Sequence, residues 1–94
     1  MITLKSAHEI ELMRRAGKIT AAARAVARDM VKPGVTTQQI DKAVYKFITE
    51  QGATPSFLHY NGYPASVCVS VNDEIIHGIP GKRVLQEGDI VSVD

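Results

Sequence analysis

Apolar residues recur along this chain with two different periods, and the change falls near Pro55. Leu12, Ala16, Ile19, Ala23, Val26 and Met30 follow one another at alternating steps of four and three, the spacing that lines one face of an α-helix. Ser6 and Glu9 stand ahead of this stripe with the spacing of a capping box, in which each side chain satisfies the other's free backbone N–H. Lys32-Pro33-Gly34 ends it, since proline cannot continue the hydrogen-bond ladder. The pattern predicts a first helix over about residues 7 to 31. A second capping box, Thr36 with Gln39, precedes Ile40, Val44, Phe47 and Ile48, and Gly52 supplies the stop, so a shorter second helix follows.

Beyond Pro55 the period becomes two. Phe57-Leu58-His59-Tyr60 is a short strand candidate and Asn61-Gly62 a turn dipeptide. Ser66 to Val71 alternates, with Val67, Val69 and Val71 expected toward the helices and Ser66, Cys68 and Ser70 toward the opposite side, where Cys68 could line a cleft. Turns are expected at Asn72-Asp73, Pro80-Gly81 and Glu87-Gly88-Asp89. A last strand, Ile90 to Asp94, puts Asp94 on the side of Ser92, away from the helix-covered face, with an open edge prone to pairing. The expected fold class is α+β, two helices covering one face of an antiparallel sheet, with 1–94 as a single domain.

Composition narrows the function without naming it. Ninety-four residues, 45% hydrophobic and 22% charged, suit a folded chain with a modest core. A net charge of +1 gives no global pull toward DNA or an acidic membrane. The basic residues Arg14, Arg15, Lys18, Arg24 and Arg28 of the first helix could form an anionic-partner patch, but such faces commonly meet only water. The one cysteine excludes an internal disulfide and favours the cytoplasm; no signal-peptide core or membrane-spanning run is found.

The chemistry-bearing residues cluster in the last third. An aspartate within an apolar strand is costly unless it is solvated, paired or bound to a cation, which singles out Asp94. His77, in His77-Gly78-Ile79-Pro80, carries an imidazole able to donate or accept at neutral pH. Phe57, Tyr60, Tyr63 and Cys68 gather aromatic rings and a sulfur around the Asn61-Gly62 turn. Spacing alone also permits plainer readings: Asp94 a solvated strand end, His77 a turn residue, the aromatics hairpin packing, Cys68 an inert thiol.

Glu9-Ile10-x-x-Met13-Arg14-x-Ala16-Gly17, His59-Tyr60-Asn61-Gly62-Tyr63-Pro64, Ser66-Val67-Cys68, His77-Gly78-Ile79-Pro80 and Gly88-Asp89-Ile90-Val91 together resemble the type I methionine aminopeptidases, over all 94 residues. The resemblance implies the N-terminal part of a pita-bread fold whose complete catalytic domain is more than twice this length. It implies removal of N-terminal methionine from nascent peptides by two divalent metal ions (Co, Mn, Fe or Zn). It makes Asp94 the first metal ligand, His77 a catalytic, substrate-binding residue, and Phe57, Tyr60, Tyr63 and Cys68 the wall of the methionine pocket. The complete enzyme is expected to be a cytoplasmic monomer acting on N-terminal Met peptides, with the ribosome a further candidate partner. The 94 residues alone are expected to be inactive, carrying one metal ligand of five. Two rivals stand beside this reading: a non-catalytic pita-bread homologue binding ribosome, RNA or protein, and a proline-directed peptidase of the same fold.

Overall fold

The computed structural model describes residues 2–94. Helix α1 spans Ala7–Met30 and helix α2 spans Thr37–Glu50, close to the expected limits. Both capping boxes form: Ser6 N–H donates to Glu9 Oε1 at 2.8 Å and Glu9 N–H to Ser6 Oγ at 3.2 Å, and Thr36 and Gln39 repeat the pair with the same distances. Past α2 the chain turns at Gly52, whose φ of +77° suits a residue without Cβ.

Two three-residue strands, β1 (Val69–Val71) and β2 (Val91–Val93), pair antiparallel with Val69 opposite Val93, Ser70 opposite Ser92 and Val71 opposite Val91. Both helices pack on one side of this ladder. Ala23 and Ala27 of α1, Ile40 and Val44 of α2, and Val67, Val69, Val71 and Leu85 form the core, with Val91 and Val93 against it. The expected arrangement of helices over one sheet face, valines inward, is therefore the one observed. Residues 81–85 fasten the turn between the helices, with Thr37 N–H donating to the Arg83 carbonyl at 3.1 Å and Leu85 N–H to the Val35 carbonyl at 2.8 Å.

Three expectations need correction. Phe57–Tyr60 is not a strand: the segment bends into a short 3₁₀ turn at Tyr60–Gly62, and His59 and Asn61 adopt left-handed backbone angles (φ 68° and 48°) that no strand permits. The strand expected from Ser66 pairs only from Cys68 onward. The N–H groups of Ser66 (2.7 Å) and Val67 (3.1 Å) instead donate to Asp41 Oδ1 of α2. Finally, the buried stripe of α1 is shorter than its periodicity. Leu12 and Ala16 are exposed and burial starts at Ile19, while Ala27, outside the expected stripe, is buried. The basic residues of α1 all face solvent, Arg14 and Arg15 paired with Glu11.

Candidate functional site

The β1–β2 ladder positions Asp94. Its backbone continues the pairing for one more residue, exchanging both hydrogen bonds with Cys68 at 2.9 Å each way. Directly paired residues share a face, so Cys68 and Asp94 lie on the side of Ser70 and Ser92, opposite the valines that meet the helices. The register is held at the other end by Asn72, at φ 55°. Its Oδ1 accepts Ile90 N–H at 2.9 Å, its Nδ2 donates to Asp89 Oδ1 at 3.0 Å, and its own N–H donates to the Ile90 carbonyl at 2.8 Å. A slip of one residue would turn Asp94 into the core, so this clasp decides where the carboxylate stands.

The segment after residue 76 runs along the outer edge of β1. Val69 N–H donates to the Gly78 carbonyl at 2.8 Å, and Gly78 N–H donates to Ser70 Oγ at 3.1 Å. Only glycine permits this approach: a Cβ on Gly78 would collide with the Val69 carbonyl oxygen and lie 2.9 Å from the Ser70 Cα. His77 stands immediately before it, exposed, in the left-handed region at φ 55°.

Tyr63 links this edge to the aromatic cluster. Its hydroxyl donates to the Val67 carbonyl at 2.9 Å and lies 3.4 Å from the Gly78 carbonyl, while its ring meets Phe57 at a centroid distance of 5.7 Å and a tilt of 51°. Burial, then the neighbouring Cys68 thiol and the negative charge of Asp41 and Asp94, hold the Tyr63 hydroxyl protonated well above the ordinary tyrosine range. Cys68 itself is buried, at 2% exposure. Thus Phe57, Tyr63, Cys68, Asp94 and the His77-Gly78 edge are drawn into one neighbourhood. Tyr60 stands apart at 68% exposure, while His8 and His59 are exposed. A groove of about 270 Å³ opens beside Asp94, between Ala16–Thr20 of α1 and the Ala53–Phe57 loop. It touches Phe57 and Asp94 but not Tyr60, Tyr63, Cys68 or His77.

A sequence profile described as metallopeptidase family M24 matches residues 11–94. The chain belongs to metallopeptidase family M24. It is 51% identical over its full length to a methionine aminopeptidase of Clostridium perfringens and 49% identical to methionine aminopeptidase 1 of Bacillus subtilis, spanning 38% of each. Among solved structures, methionine aminopeptidases from Rickettsia prowazekii and Thermotoga maritima superpose with a TM-score of 0.96 at 40% and 42% identity, again over 38% of their chains. The α+β part of the pita-bread fold expected from the resemblance is the fold of these M24 neighbours.

M24 membership implies divalent metal, and a hard carboxylate oxygen such as that of Asp94 suits such ions. Among the described residues, however, no three His, Cys, Asp or Glu side chains converge as an ion-holding group. These residues supply at most one corner of such a centre. The positioning residues Asp41, Ser70 and Asn72 escaped the sequence reading. Their partners are 25, 8 and 18 positions away, and neither period nor motif signals such contacts.

Proposed function

We propose that the protein containing these residues is a methionine aminopeptidase, releasing N-terminal methionine from peptides, and that 1–94 forms the N-terminal part of its catalytic domain. The observation that carries this reading is the backbone pairing of Asp94 with Cys68, which sets a potential metal ligand beside the apolar Tyr63–Phe57 wall. In this reading Asp94 contributes a carboxylate to a pair of divalent ions, Co, Mn, Fe or Zn, whose role is to lower the pKa of bound water and polarise the scissile carbonyl. The chain's own residues bind and orient. Phe57, Tyr60, Tyr63 and Cys68 receive the methionine side chain, the aromatic rings and sulfur offering contacts a thioether favours. His77, solvent-open beside the outer edge of β1, hydrogen-bonds the peptide next to the bond that is cut. Cytoplasmic location, a monomeric state and encounter with nascent chains at the ribosome accompany this reading. No helix among the described residues is long and apolar enough to cross a membrane.

The test uses the complete gene product and the 94-residue chain, each purified with Mn, Co or Fe and given a Met-Ala-Ser peptide. Release of methionine by the complete product, abolished by chelator and by Asp94→Ala, is expected; none is expected from the 94 residues alone. A metal-loaded complete product that leaves the peptide intact would refute the proposal.

A further inference from the structure

Ser70 is a buried polar side chain, at 5% exposure, in the middle of the strand that pairs with the Asp94 strand. Its hydroxyl oxygen accepts the N–H of Gly78 at 3.1 Å. Gly78 is buried as well, and its carbonyl is taken by Val69 N–H at 2.8 Å. The residue after His77 is thus pinned on both sides, at its N–H by a side chain and at its carbonyl by a strand backbone. His77 is the reverse: exposed, and held at φ 55°, a left-handed conformation unfavourable for a residue with a Cβ, which persists only where the surroundings over-determine it. The pinned glycine provides that determination, because it fixes the peptide plane from which His77 departs.

We infer that Ser70 is the positioning residue for His77, its hydroxyl fixing Gly78 and through it the left-handed backbone that presents the imidazole. The inference rests on the reading of His77 as a substrate-binding group, and adds the residue that aims it. Ser70 touches no substrate; it acts through one hydrogen bond to the next residue's amide. Its cross-strand partner Ser92 is exposed and holds no such group, so the role belongs to the position and not to serine in the strand pair.

The decisive experiment is a double-mutant cycle in the complete, metal-loaded gene product with a Met-Ala-Ser peptide. Ser70→Ala is expected to lower kcat about 10-fold with little change in KM, as misaimed catalytic groups do. In a His77→Ala background the same substitution is expected to cost less than about twofold, because the group it positions is already gone. Equal losses in the two backgrounds would show a general structural defect and overturn the inference. Amide exchange at Gly78 supplies an independent readout: Ser70→Ala should speed it about 10-fold or more, and unchanged exchange would likewise overturn the inference. If the protein cleaves no peptide, or His77→Ala costs nothing, the functional reading falls and the exchange result alone decides whether Ser70 holds this edge. Should Ser70→Ala fail to fold, Ser70→Cys, with its weak sulfur acceptor, is read by the same outcomes.

Discussion

Strands β1 and β2 have the same sequence, Val-Ser-Val, and pair with each other residue for residue, yet they occupy different environments. Every residue of β1 is buried, whereas in β2 the two valines are half-buried and Ser92 is exposed. Propensity and period cannot distinguish them. What differs is the third neighbour: β1 has the Gly78 edge on its outer side and the Tyr63 hydroxyl on the Val67 carbonyl two residues before it, while the sheet of the described residues ends at β2. Among the described residues, identical tripeptides thus differ in burial, the first flanked on its outer side by the Gly78 segment. The interior strand aims and supports; the edge strand leads to the carboxylate.

The largest expected effect comes from removing that third neighbour. Gly78→Ala would drive a methyl group into the Val69 carbonyl, and both atoms in conflict belong to backbone, which has little room to yield. A loss on the order of 3 kcal/mol or more is expected by urea denaturation, at the upper end of overpacking costs. The comparison would break if the variant unfolded at the wild-type midpoint.

Next are the paired valines. Val69→Ala removes two methyl groups from a site 2% exposed and is expected to cost about 2 to 3 kcal/mol, from lost transfer free energy and the cavity left behind. Val93→Ala, its direct cross-strand partner, should cost about half that because the site is already partly open to water. The serines sharpen the contrast further. Ser70→Ala leaves Gly78 N–H buried without an acceptor, at about 1 to 3 kcal/mol, whereas Ser92→Ala should fall within about 0.5 kcal/mol of wild type. Equal values for the two serines in thermal or chemical unfolding would show that the burial difference has no energetic counterpart.

These contrasts also mark how far the sequence was legible. The helices were, because their signals are local: Ser6 with Glu9 and Thr36 with Gln39 form the capping boxes that their spacing announces. The direction of the valines was, because alternation is a local property too. Tyr60 was placed with the pocket by its motif, yet it stands exposed beside a left-handed Asn61 and His59 that turn the expected strand aside. Asp41 shows the deeper limit. A carboxylate on a helix takes two amides 25 and 26 positions onward, a contact no local pattern announces. His77, Cys68 and Asp94 were singled out by motif, but their shared neighbourhood depends on hydrogen bonds between segments that no single window contains.

The smallest expected effect concerns acid, and it tests the clasp that fixes the register of β2. The Asp89 carboxyl is held below its ordinary pKa of 3.8, first by the Asn72 amide and then by Gln86 N–H, with Arg83 assisting. A pKa depressed in the folded state means that the folded protein prefers the carboxylate more than the unfolded chain does. The resulting stability is fully present above pH 3.8 and is lost as pH falls through the lower, folded value. Glu9, whose pKa is lowered by the Ser6 N–H, acts in the same direction at the start of α1. Glu9 is exposed and Asp89 only half-buried, so solvent screens the effect and the slope should be shallow. Asp89→Asn is expected to flatten the decline in thermal midpoint below pH 3.8 without altering the plateau slope near pH 7, and Glu9→Gln to do the same independently, since the two sites share no partner. An acid limb unchanged by Asp89→Asn would mean that the contact to Asn72 is present in the fold but gives the edge strand no preference for its register.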